Sequence, residues 1–175
     1  MIFYFTGTGN SRWVAEALGK ALEEPLVSIA EVLTEEKSEY VYPLGEREKV
    51  IFVFPVHSWG PAVLVTRLIS RLRLEGYGGQ AVYFVCTCGD DCGYTDRIMR
   101  KALQKRGIIL TNGFSVQMPN NYVLMPGFDV DSKEVETDKL RKASERIQEV
   151  IGSIRREVNL PFYYAGGVPF LNSYL

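Results

Sequence analysis

Residues 6–11 read Thr6-Gly7-Thr8-Gly9-Asn10-Ser11, between a short apolar run and the start of a helical pattern. Glycines at this place let the backbone bend inward so that successive N–H groups converge, and a helix N-terminus adds positive potential to the concavity. Thr6, Thr8, Asn10 and Ser11 carry further donors, while Gly7 and Gly9 supply the bends. This is the chemistry of a phosphate cradle. No Lys follows the glycines, as a nucleoside-triphosphate loop requires, and the spacing is not G-x-G-x-x-G. No Cys stands where a phosphatase nucleophile would be. A hydroxyl N-cap flanked by glycine turns is the plainer alternative.

Three further segments have the same punctuated character. The first is Pro55-Val56-His57-Ser58-Trp59-Gly60-Pro61. A Trp between Ser and Gly on a loop is costly unless its ring packs on a planar ligand or into a core slot. Gly60 lets the backbone approach such a ligand closely. The second segment, Cys86-Thr87-Cys88-Gly89-Asp90-Asp91-Cys92-Gly93-Tyr94, again runs through small residues to an aromatic. The third is Met118-Pro119-Asn120-Asn121-Tyr122. A phosphate cradle, two or three aromatics and backbone donors together match a phosphate joined to a flat ring, which is what flavin mononucleotide (FMN) presents. His57 is the only histidine. It is either an ordinary polar loop residue or, beside a flavin, a proton carrier.

These segments need a scaffold that brings them to one place. Apolar runs of strand length occur at 1–5, 50–56, 81–86 and 108–116, with a weaker one at 26–29. The runs at 50 and 81 are nearly continuous and rich in Val and Phe, as suits strands covered on both faces. Helical patterns lie between them, at 11–22, 61–72, 95–105 and 137–157. The first carries Val14, Ala15, Leu18 and Leu22 on one stripe, and the last carries Leu140, Ala143, Ile147, Val150, Ile151 and Ile154. Pro61 stands at a plausible first helical position, and Gly107 is a stop signal. Alternating strands and helices with short joins predict an α/β fold, a parallel sheet wrapped on both faces. In such a sheet the ligand site lies beyond the carboxyl ends of the strands, where all four segments fall. The charged stretch 30–49 reads as irregular surface.

Composition bounds the function. The 175 residues are 46% hydrophobic and 23% charged, with a net charge of −1. That balance opposes nucleic-acid binding by a basic surface. No apolar run reaches bilayer length, and the N-terminus lacks the pattern of a secretory leader. Cys86, Cys88 and Cys92 are an odd, crowded set, which reads as reduced thiols in a cytoplasmic protein and not as a disulfide framework. Residues 159–175 are almost uncharged and rich in aromatics, with two Pro and two Gly that forbid one continuous helix. The expected organisation is one domain over 1–158 and an apolar C-terminal arm over 159–175, laid on the domain or docked to a partner.

Over about 1–157 the chain resembles the flavodoxins. Residues 6–11 match their [ST]-x-T-G-x-[ST] phosphate loop, and the element order agrees. More narrowly, FTGTGNS at 5–11, PVHSWGP at 55–61, TCG at 87–89 and MPNNY at 118–122 resemble flavodoxin-like domains that precede a two-cluster ferredoxin module. The resemblance implies a doubly wound, five-stranded parallel sheet of order 2-1-3-4-5 that binds FMN without a covalent bond. It places the phosphate on Thr6, Gly7, Thr8, Gly9, Asn10 and Ser11. The ring would lie among Pro55, Val56, His57, Ser58, Trp59, Gly60, Thr87, Cys88, Gly89, Gly93 and Tyr94, with Trp59 and Tyr94 as its aromatic neighbours. The implied function is electron transfer to a redox partner protein such as a ferredoxin or ferredoxin-like module, with a homodimer also compatible. A flavin-dependent NAD(P)H:quinone-type oxidoreductase and a flavin-free binding or scaffold module are the alternatives. The chain departs from the pattern in two ways. No C-x₂-C-x₂-C run follows the last helix, and the three cysteines lack the spacing and fourth ligand of a cluster. Its charge is also nearly balanced, whereas shuttling flavodoxins are strongly acidic.

Overall fold

The computed structural model describes residues 1–121, 123 and 129–157; Tyr122 and the expected arm at 159–175 lie outside them. In chain order the elements are β1 (Ile2–Tyr4), α1 (Asn10–Leu22), β2 (Leu26–Ser28), α2 (Ile29–Val32), β3 (Tyr40–Pro43), β4 (Val50–His57) and β5 (Gly60–Pro61). They continue with α3 (Val63–Arg71), β6 (Leu72–Glu75), β7 (Val82–Cys88), α4 (Thr95–Gln104), β8 (Asn112–Gln117) and α5 (Lys133–Arg156).

Five of these strands form the central sheet in the spatial order β2-β1-β4-β7-β8, every pair parallel. Numbered among themselves they run 2-1-3-4-5, the flavodoxin-like doubly wound order. Side-chain alternation sorts the core into two layers. Val50, Phe52 and Phe54 of β4 join Phe84, Cys86 and Cys88 of β7 under Val65, Leu68 and Ile69 of α3 and Met99 and Leu103 of α4. Ile51 and Val53, with Tyr83 and Val85, face the other way onto Val14, Ala15 and Leu18 of α1 and Ile147, Val150 and Ile154 of α5. Because both faces are covered, β4 and β7 read as continuous apolar runs. Among the described residues, no helix is long and apolar enough to cross a membrane.

The stretch 30–49 departs from its expectation. It is not wholly irregular surface: β3 pairs in parallel with β6 as a separate two-stranded sheet, with Tyr40 opposite Leu72 and Tyr42 opposite Leu74. Tyr40, Leu44, Leu72 and Leu74 are buried against the α3 side of the core. Charged neighbours mask so short an apolar pattern, and Leu72 belongs to a strand where the periodicity extends a helix. Pro61 lies in β5, paired to Val56, so α3 begins only at Val63. Helix α5 starts at Lys133, earlier than its apolar stripe, because Ser132 caps it by accepting from the Val135 N–H at 3.4 Å.

Candidate functional site

The loop between β1 and α1 is held open by its own backbone. Gly9 caps α1 in a left-handed conformation, φ 106°. Its N–H donates to Thr6 Oγ1 at 3.0 Å, which closes the bend. The Trp13 N–H donates to the Gly9 carbonyl at 2.9 Å and is the first to join the helical ladder. The amides of Asn10, Ser11 and Arg12 are therefore left at the mouth of the loop without helical acceptors. No acidic residue occupies the first turn of α1, so nothing there repels an anion. Apart from its chain neighbours, a β-carbon on Gly7 or Gly9 would meet no atom within 4 Å, so the space beside these two glycines is open. These are the features a phosphate group requires.

The side chains of the same loop tie neighbouring loops to it. Asn121 Nδ2 donates to Thr8 Oγ1, leaving the Thr8 hydroxyl proton to point elsewhere. Asn10 Nδ2 donates to the Pro119 carbonyl at 3.4 Å. The buried Ser11 hydroxyl lies 2.8 Å from the hydroxyl of Thr87 in β7, so these two pin the start of α1 to the sheet. Sequence reasoning expects these hydroxyls and amides to be donors to phosphate, and it misses that they fasten three strand ends together. It also misses Asp131, whose carboxylate accepts from the Asn120 N–H at 2.8 Å and pairs with Lys139 at 2.8 Å. No local pattern announces that anchor, because its two ends are joined only by the fold.

Opposite the cradle, β4 and β5 make a tight hairpin in which His57 pairs with Gly60. The two turn residues are Ser58 and Trp59, at φ 47° and 60°. Two consecutive left-handed residues define the turn whose twist suits a hairpin, and Asn-Gly is its usual occupant. A left-handed Trp is an outlier of the kind that clusters at ligand sites. The Trp59 side chain keeps 37% of its surface exposed. Pro55 and Val56 are half-buried, His57 and Ser58 exposed, and Gly60 buried. The His57 ring meets Phe5 edge-on at 6.2 Å, and desolvation lowers its pKa below the ordinary histidine value.

The loop after β7 closes against that hairpin. The Tyr94 N–H donates to the Trp59 carbonyl at 2.8 Å, and the Gly93 N–H donates to Asp91 Oδ1 at 3.1 Å. Thr87 and Cys88 are buried, and the Asn120 amide sits directly over Gly89. The Met118 N–H donates to the Cys88 carbonyl at 2.8 Å, joining this loop to the one after β8. The expected site residues thus gather at the carboxyl edge of the sheet, as the cradle on one side and the Trp59 hairpin and 87–94 loop on the other. Two surface hollows lie elsewhere, one of about 280 Å³ between α1 and α5 and one of about 400 Å³ beside α2 and β3. Neither touches this edge.

No protein-family model matches the chain, and no curated protein matches it. Solved structures do share its fold. The azoreductase AzrA has a TM-score of 0.55 at 10% identity, covering 89% of this chain and 98% of the other. An FMN-dependent NADH-azoreductase from Bacillus anthracis, solved with FMN, has 0.55 at 8%, covering 87% and 97%. A putative flavoprotein from Bacteroides uniformis has 0.51 at 14%, covering 81% and 97%. At these identities the likeness is one of fold.

Proposed function

We propose that this chain binds FMN at the carboxyl edge of its sheet and carries electrons to a redox partner protein. One observation carries the reading: an open cradle of unpartnered helix-end amides shares that edge with an exposed Trp59 held in a strained turn. Phosphate would rest on the amides of Asn10, Ser11 and Arg12, with the Thr8 hydroxyl as a further donor. The ring would lie against Trp59, bounded by the 87–94 loop and Tyr94. Bound FMN supplies the electron chemistry, and the protein binds, orients and shields it. His57, whose pKa is lowered by desolvation, would be the proton carrier at the hairpin. Ferredoxin-like partners suit the narrower sequence resemblance.

The test is titration of the chain with FMN and with riboflavin, followed by flavin fluorescence. FMN binding at one per chain, at least tenfold tighter than riboflavin, supports the cradle. Equal affinities, or no binding, overturn it. A second reading, an NAD(P)H-dependent oxidoreductase, is favoured by the fold neighbour whose name includes FMN-dependent NADH-azoreductase. NADH oxidation by the flavin-loaded chain with a quinone or azo acceptor separates the two.

A further inference from the structure

Cys86, Cys88 and Cys92 form a compact cluster that electron transfer by a bound flavin does not use. Cys92 Sγ lies 3.5 Å from Cys86 Sγ and 3.4 Å from Cys88 Sγ. Cys86 and Cys88 are two residues apart on β7, so their side chains leave the same face of the sheet. Cys92 comes down from the following loop and places its sulfur against both. All three are buried thiols, none of them in a disulfide. Strand pairing holds Cys86 between Phe54 and Ser115, and Cys88 opposite Gln117. Cys92 is the member that lies outside the sheet ladder.

We propose that Cys92 is the central sulfur of a second, thiol-based redox site, which forms a reversible disulfide with Cys88 and can pass it to Cys86. Thiol–disulfide exchange needs a nucleophilic sulfur, a central sulfur and a leaving sulfur in contact. Here one sulfur touches two others that are fixed on a strand. The oxidant class is a small-molecule disulfide. Cys88, the one member of the cluster with any exposed surface, attacks one sulfur of glutathione disulfide as thiolate, and one glutathione leaves as thiolate. The second protein thiol, deprotonated, then displaces the other glutathione. Two thiols and one disulfide become one internal disulfide and two glutathione thiols, so two electrons pass to the small molecule. In the exchange step the Cys86 thiolate attacks Cys92 and Cys88 leaves as thiolate. Contact with Cys86 and Cys88 lowers the pKa of the Cys92 thiol, whereas burial and the same contact raise those of its two neighbours, so Cys92 is the most readily deprotonated of the three. Disulfide formation closes the 3.4 Å contact of Cys92 with Cys88 to a bond of about 2.05 Å.

The experiment equilibrates the full chain, without flavin, in glutathione buffers from reducing to oxidising, and follows it by acid quench, denaturation, alkylation and intact mass. The wild type should go from three alkylated thiols to one, monomeric and reversibly, with peptide mapping placing the bond between 88 and 92. Cys86→Ser should still lose two thiols. Cys88→Ser should also lose two, through the 86–92 pair, while Cys92→Ser should lose none to an internal bond. Three alkylated thiols in the natively folded wild type at every poise overturn the proposal. So do disulfides only between chains, or a native mass showing a bound metal ion with all three thiols retained. The wild-type titration decides the matter even if a variant fails to fold, and it is independent of flavin binding.

Discussion

A β-carbon on Gly93 would lie 2.4 Å from Trp59 Cβ and 2.6 Å from the Trp59 carbonyl oxygen. Gly93 also has φ 51°, and the next residue, Tyr94, donates to that same carbonyl. The hairpin and the 87–94 loop are thus clasped backbone to backbone. Gly93→Ala should separate them, costing about 1–3 kcal/mol for the left-handed conformation alone and more for the collision with fixed backbone. Denaturant unfolding should show the loss, and flavin affinity should fall with it. A variant as stable as the parent would show that the two loops do not depend on this clasp.

The Ser58-Trp59 turn gives a prediction of opposite sign for stability and binding. Replacing the pair by Asn-Gly puts the favoured residues into the same two left-handed positions. The unfolding free energy should rise by roughly 1 kcal/mol or more, and the denaturant midpoint with it, because backbone strain is relieved. Flavin affinity should fall as the ring contact disappears. If both quantities fall, Trp59 is a packing residue and its strained backbone has no part in ligand binding.

Gly9→Val tests the cradle. A β-carbon there meets no atom within 4 Å beyond its chain neighbours, so the expected effect is not a β-carbon clash. It arises from φ 106°, which L-residues rarely adopt, and from side-chain bulk in the space before the amides. The expected outcome is a folded chain with unchanged far-ultraviolet circular dichroism and no measurable FMN binding. A folded Gly9→Val protein that binds FMN as tightly as the parent would remove the loop from the site.

Ser11 and Thr87 offer a double-mutant cycle. Each hydroxyl is buried, and they lie 2.8 Å apart, between α1 and β7. Ser11→Ala or Thr87→Val alone should cost about 1–3 kcal/mol, since each leaves the partner hydroxyl unsatisfied. The double variant should cost less than the sum. Additive losses would mean that the pair is not coupled.

The legibility of these features follows how local their causes are. Strands β4 and β7 could be read because burial on both faces makes them continuous apolar runs, and the parallel order follows from helices between them. The cradle could be read because its glycines, hydroxyls and helix start are consecutive. The β3–β6 sheet could not, since each strand is four residues long and set among charges, and it exists only by pairing with the other. Likewise, C-x-C-x₃-C gives no hint that Cys92 folds back between two strand thiols. The Asn121-to-Thr8 bond spans 113 residues, so it belongs to the fold and to no motif.

His57 provides a pH dependence. In the folded chain desolvation lowers its pKa below the ordinary value of about 6.5. As the pH falls through that value, the unfolded chain takes up the proton first. Stability is then lost progressively from about pH 6.5 downward, and the loss becomes constant only below the folded pKa. His57→Gln keeps a polar side chain but has no charge to gain. The check is the urea midpoint of both proteins at several values between pH 8 and 5. Their difference cancels other titrating groups, including the cysteine cluster. Relative to the variant, the parent should be unchanged at pH 8 and weaker at pH 5. A difference that stays flat with pH would mean that water solvates the His57 imidazolium as fully in the folded chain as in the unfolded one.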